Sequence, residues 1–138
     1  MNGFLISEVN CGVVKSKIGE TDEINIGHNK YDRFFFSISY GGSVAYAVVY
    51  SIDNGSVELA RFFVPKEFRG VGFGRDAAVA FIKYLFENNS EILIDSIAGG
   101  SFNFWCKVYE KFGCCLNLEE IGEEKNIWRK NLACICNG

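Results

Sequence analysis

Three glycines at alternate positions, Gly70, Gly72 and Gly74, separate a strand-like run from an amphipathic one, and no other feature restricts the fold of this chain as much. The run before them, Val57 to Val64, is apolar and aromatic enough to read as a strand, and Pro65, the only proline, stops it. The run after them, from about Arg75 to Glu87, places Ala78, Phe81, Ile82 and Leu85 at helical spacing. Glycine lets the backbone approach a ligand closely and take positive φ. A helix start leaves several N–H groups unpaired and carries a partial positive charge. Arg69 and Arg75 add formal charge, so the loop suits an anion such as a pyrophosphate. It is not a Walker loop, because no G-K-[ST] follows. Nor is it the dinucleotide fingerprint, because the glycines fall as G-x-G-x-G with no opening βαβ unit.

Other segments supply the rest of an α+β order. Phe4 to Val9 predicts a first strand. Residues 11–33 are polar and weakly patterned and stay unassigned between an irregular loop and a short helix. Phe34 to Tyr40 and Val44 to Ile52 predict two strands about the turn Gly41-Gly42-Ser43, and Asp53-Asn54-Gly55 predicts the next tight turn. Ile92 to Ile97 reads as a strand. A helix from about Phe102 to Phe112 aligns Phe102, Trp105, Tyr109 and Phe112 on one face, with Gly113 as its C-cap. Strands near Cys114 to Ile121 and Asn126 to Cys136 close the chain. At 138 residues, one domain spanning 1–138 is the expectation.

Composition narrows the function classes. Hydrophobic residues make up 49% and the net charge is −3, which speaks for a packed core and against a nucleic-acid partner. No apolar run is long enough to span a bilayer, and Met1 to Ser7 lacks the basic and long apolar parts of a signal peptide, so the cytoplasm is the expected location. The six cysteines then read as reduced thiols, most simply as small hydrophobes. A zinc or redox site formed by Cys114, Cys115, Cys134 and Cys136 is the minor alternative, and no metal is expected. His28 reads as a loop histidine. The runs Glu20-Thr21-Asp22-Glu23 and Glu119-Glu120 with Glu123-Glu124 read as solvated faces, or as attraction for a cationic amine.

The pattern R-x-x-G-x-G, with Arg69, Gly72 and Gly74 at its fixed positions after Val64-Pro65, resembles motif A of the GNAT superfamily of acetyl-CoA-dependent N-acetyltransferases. Tyr109-Glu110-Lys111-Phe112-Gly113 is similar to the end of that family's motif B, with Cys114 in place of the usual phenylalanine. Together the two motifs span roughly Val57 to Cys114. The resemblance implies a mixed, mainly antiparallel twisted sheet with helices packed on both faces. It implies acetyl-CoA as cosubstrate, its pyrophosphate held by the loop residues Arg69, Gly70, Val71, Gly72, Phe73, Gly74 and Arg75, and its pantetheine arm by the backbone of Phe62, Phe63 and Val64. The family commonly carries an asparagine seven residues before the tyrosine. Here Phe102 holds that place and Asn103, six before, is the candidate ligand.

The implied reaction moves an acetyl group to a primary amine, of a small molecule or of a protein or peptide, by direct attack in a ternary complex. Tyr109 matches the tyrosine that protonates the leaving thiolate, and its phenol has a suitable reference pKa of about 10. Glu58, six residues before Val64, matches the catalytic glutamate of histone-type members. A half of an apolar strand would desolvate it toward a useful basicity, whereas a surface position or a pairing with Arg61 would leave it structural. The family places two helices where residues 11–33 stand. The shortness of this segment implies an open acceptor groove and a peptide or protein acceptor. A monomer or homodimer is expected. A non-catalytic acyl-CoA-binding regulatory module is the alternative.

Overall fold

The computed structural model describes residues 3–18, 32–95, 101–113, 116–122 and 125–130. Alternating strand sequences and glycine turns build a seven-stranded sheet from β1 (Leu5–Val9), β2 (Asp32–Tyr40), β3 (Ser43–Asp53), β4 (Ser56–Phe63), β5 (Glu91–Asp95), β6 (Leu116–Gly122) and β7 (Lys125–Lys130). The strand order is β1-β2-β3-β4-β5-β7-β6. Every neighbouring pair is antiparallel except β4 and β5. A parallel pair requires a crossover, and α2 (Phe73–Phe86) supplies it. The other helices are α1 (Cys11–Ile18) and α3 (Ser101–Glu110).

The two faces of the sheet carry separate cores. On one face, Phe36, Ile38, Ala45, Ala47, Val49, Val57 and Leu59 meet the buried stripe Ala77, Ala78, Phe81, Ile82 and Leu85 of α2 and the Trp105 and Val108 of α3. On the other, Val14 of α1 is wholly buried against Phe35, Tyr46 and Val48. Helices therefore cover both faces. Trp128 of β7 anchors α3: Trp105, Tyr109 and Phe112 meet its indole at ring-centroid distances of 6.1, 5.3 and 6.4 Å. These three residues belong to the face that helical spacing singles out. Gly113, at φ 59°, ends that helical stretch, and Gly55, at φ 86°, makes the predicted turn between β3 and β4.

One irregularity in β4 matters for the site. Val48 pairs with Arg61 but Val49 pairs with Leu59, which leaves Ala60 as an extra residue, a β-bulge. Upstream of it, Val57 and Leu59 face the α2/α3 core. Downstream, Phe62 and Val64 face that core and Phe63 faces the α1 side. A strand without the bulge alternates strictly, and would put Phe63 where Phe62 lies.

Several boundaries differ from the sequence expectation, three of them as follows. Helix α2 begins at Phe73 rather than Arg75, because Gly72 takes the left-handed conformation and serves as its N-cap. Part of the unassigned segment forms α1, whose start is capped by the Asn10 side chain accepting from the Val13 N–H at 3.2 Å. Strand β2 starts at Asp32, two residues early. Expectations for His28, the acidic runs at 20–23 and 123–124, and Cys114, Cys115, Cys134 and Cys136 lie outside the described residues. Among the described residues, no helix is long and apolar enough to cross a membrane.

Candidate active site

The groove lies at the end of β4, past its described pairing with β5. This strand pairs with β5 only from Ser56 through Leu59, opposite Glu91 through Ile94. Beyond the bulge it keeps its partner on the β3 side, and the described pairings with β5 end at Leu59. A groove of about 670 Å3 lies at this end of β4. Phe62, Phe63 and Val64 line it from the end of β4, and Arg69, Gly70, Gly72, Gly74 and Arg75 from the loop and the start of α2. The third wall is Phe104, Trp105 and Lys107 of α3. Among the described residues, three cations line the groove and no carboxylate does.

The loop has the backbone that its glycines foretell. Gly70 and Gly72 take φ of 85° and 84°. The first helical bond of α2 runs from the Asp76 N–H to the Gly72 carbonyl, and no side chain caps the start. The amides of Phe73, Gly74 and Arg75 thus form the unpaired first turn of the helix, with the positive end of its dipole behind them. Gly74 is required for a different reason: a Cβ there would stand 3.1 Å from the Val64 Cγ2 and 3.7 Å from the Phe104 ring. Its absence lets strand end, helix start and α3 close on one another.

The two loop arginines differ. The Arg69 Nε donates to the Val64 carbonyl at 2.7 Å, and its guanidinium lies 5.4 Å from the centroid of the Phe63 ring. Arg69 therefore ties the loop to the strand end. The Arg75 Nε is buried without a hydrogen-bond partner among the described residues, 4.0 Å from the Asp76 carboxylate and too far for a hydrogen bond. Its Nη2 stands 3.8 Å from the Cβ position of Gly72, over the loop.

The remaining sequence-derived residues fall into three places. Val71 is 79% exposed and lines, with Phe73, a second cavity on the other flank of α2; only their backbone serves the loop. Asn103 is exposed on the first turn of α3 and is not part of the groove wall. Tyr109 lies one turn past Trp105 on α3, half-buried, its hydroxyl donating to the Leu116 carbonyl at 3.1 Å. Glu58 lies on the face opposite α2 and α3, in a cross-strand row Arg33–Tyr50–Glu58–Leu93. Burial raises the Tyr50 phenol above its ordinary value and Glu58 adds to this, while Arg33 and Arg61 pull it down. Glu58 therefore sits in a mixed cluster of charge, one residue before the last described pairing of β4 with β5.

Sequence reasoning missed the α3 wall. Phe104 and Lys107 were legible only as neighbours of motif B, and their signal is the spacing i, i+3 on a helix already placed beside the loop. Among the described residues, no cluster of three potential metal ligands exists. Cys11 and Cys106 are free, half-buried thiols.

The backbone as a whole is similar to solved structures. A GNAT family acetyltransferase from Elizabethkingia anophelis with acetyl-CoA bound superposes with a TM-score of 0.60 at 14% identity, over 94% of this chain and 97% of that one. The chain has the GNAT fold. An acetyltransferase from Bacillus subtilis in complex with CoA shares the GNAT fold at a TM-score of 0.56 and 15% identity, over 94% and 99% of the two chains. The ribosomal-protein-S18-alanine N-acetyltransferase from Escherichia coli is similar at 0.56 and 14%, over 91% and 90%. No protein-family model matches the sequence, and no curated protein matches it by sequence search. The GNAT fold here is thus a likeness of backbone, at identities where side-chain roles must be argued from this chain.

Proposed function

We propose that the protein is an N-acetyltransferase that moves an acetyl group from acetyl-CoA to a primary amine. The observation that carries this reading is the groove itself: past the described pairing of β4 with β5, the strand end faces a glycine-lined helix start, with three cations and no carboxylate among the described lining residues. Unpaired amides and a helix dipole suit a pyrophosphate, and the backbone of the strand end suits a pantetheine arm. GNAT-fold proteins crystallised with acetyl-CoA and with CoA support the choice of ligand.

In this reading the amine nitrogen attacks the thioester carbonyl carbon, the tetrahedral oxyanion collapses, and the C–S bond breaks. Backbone N–H groups at the end of β4 stabilise the oxyanion. Glu58, directly or through water, takes the proton that the amine must lose, and Tyr109 gives a proton to the departing thiolate. The acceptor is a small amine or a protein amine, approaching from the Glu58 face. Mass spectrometry of co-purified ligand followed by coenzyme A release with a panel of amines tests the whole reading. Absence of release with every amine, together with tight coenzyme A binding, would leave the regulatory acyl-CoA-binding alternative. One observation favours that alternative: the Tyr109 hydroxyl proton is already engaged by Leu116.

Tyr109→Phe separates the two. The ring keeps its packing on Trp128, and only the hydroxyl is lost. Turnover is expected to fall by about 10²–10⁴ with acetyl-CoA affinity unchanged. A purely structural tyrosine would instead lose about 1 kcal/mol of stability with turnover intact. Steady-state kinetics beside a denaturation curve reads both.

A further inference from the structure

The face of the sheet that carries Glu58 also carries two arginines. Glu58 pairs with Tyr50 and Tyr50 with Arg33, so the three stand in one cross-strand row. Arg61 joins them because of the bulge. On a regular strand, residues three apart such as Glu58 and Arg61 would point to opposite faces. The extra residue at Ala60 lets Arg61 pair with Val48, whose side chain lies in the α1-side core against which Tyr50 packs. Arg33, Glu58 and Arg61 all act on the Tyr50 phenol, which places the three charges around one ring. All four residues are half-buried.

Among the described residues, the charges around Tyr50 are thus two guanidiniums and one carboxylate. A guanidinium has five N–H donors in a fixed fork, so one that is paired still has donors for a second acceptor. Two further carboxylates on this face, Glu91 and Glu119, both accept from Arg129 at 2.7 Å. The residues that continue the Glu58 row are the apolar Leu93 and Ile127. An amine that reaches the thioester from the Glu58 face passes this cluster. We infer that the acceptor is an amine that carries its own carboxylate, with the amine at Glu58 and the carboxylate held by Arg33 and Arg61. This rests on the acetyl-transfer reading above. A planar carboxylate matches the fork of a guanidinium, which a point charge would not require. The same cluster works against an acceptor with a second cationic group, because the added charge meets two guanidiniums.

The test is steady-state release of coenzyme A from acetyl-CoA by the full chain at low ionic strength, with acceptors in matched pairs. One pair is an ω-amino acid and its carboxamide. The other is a short peptide with glutamate beside its N-terminal residue and the same peptide with glutamine there. The wild type is expected to prefer the carboxylate member of at least one pair by about tenfold in kcat/KM, mostly through KM, as a binding contact would. The pair that responds tells a small acceptor from a peptide. Arg33→Gln and Arg61→Gln are each expected to lower the preference, and the double variant to abolish it, with coenzyme A affinity by calorimetry as in the wild type. Lys83→Gln, the same charge change on the other flank of α2, is expected to leave the preference intact. A wild type that uses both members of each pair equally, or prefers the amides, would overturn the inference whether or not the variants fold. A preference that survives in a folded double variant would overturn it too. A wild type that binds coenzyme A but releases none from acetyl-CoA with any acceptor would sink the acetyl-transfer reading itself, and this inference with it.

Discussion

Replacing Gly72 with glutamate is expected to raise the dissociation constant for coenzyme A at least about a hundredfold while the chain still folds. Two effects act together. Gly72 holds φ 84°, a conformation that costs a side-chain-bearing residue about 1–2 kcal/mol. The new carboxylate would also stand at the unpaired amides of α2, where it competes with a bound anion and repels it, by about 4 kcal/mol for unit charges at about 4 Å near a protein surface. Gly72→Ala separates the terms. Its Cβ meets only the Arg75 Nη2, at an ordinary 3.8 Å, so it carries the backbone strain without the charge. Alanine is expected to cost about 1–2 kcal/mol of stability and under about tenfold in affinity. Calorimetric titration of the three proteins decides. Glutamate binding within tenfold of wild type would mean that the loop does not hold the pyrophosphate.

The largest loss of stability is expected from Phe81→Ala. Phe81 is wholly buried at the middle of α2, with its ring 5.2 Å from Phe36 and stacked 5.9 Å from Tyr84. Truncation removes the contact between helix and sheet that holds the crossover in place and leaves a cavity, at a cost of about 3–5 kcal/mol. That is a large fraction of the usual total of about 5–15 kcal/mol. The melting temperature is expected to drop by roughly 10–15 °C. Leu5→Ala, at a position 65% exposed on the edge strand, is expected to change stability by no more than about 0.5 kcal/mol. Urea unfolding followed by circular dichroism compares them. Equal midpoints for Phe81→Ala and wild type would show that α2 is not anchored through this ring.

How much of this was legible in the sequence depends on the physical carrier of each feature. The loop was, because Pro65 and the three glycines are backbone devices written directly as residue types. The end of α3 was too, since Trp105, Tyr109 and Phe112 repeat at helical spacing and all three settle on Trp128. Helix α1 stayed undecided between a loop and a short helix because it is eight residues long and of its first four residues only Val14 is buried; its one local sign was Asn10 as N-cap. The start of α2 was placed two residues late because an apolar count begins at Ala78, whereas the true start is set by the φ of Gly72. The bulge at Ala60 left no trace in composition, since it exists only relative to β3. Glu58 was noticed as a carboxylate among apolar neighbours. Its neighbours Arg33 and Tyr50 come from other strands, and no local window contains them.

The extra residue at Ala60 gives β4 two independent duties. Upstream of it, Glu58 belongs to the row of Arg33 and Tyr50 on one side of the sheet, and downstream Phe62 and Val64 face the α2 and α3 side and line the groove. Residues at 33 and 50 can thus be exchanged without disturbing the packing beneath α2 and α3. Under selection, a chain built this way is free to change the partner it meets on one side while the other keeps its ligand, provided its length between Leu59 and Arg61 never changes.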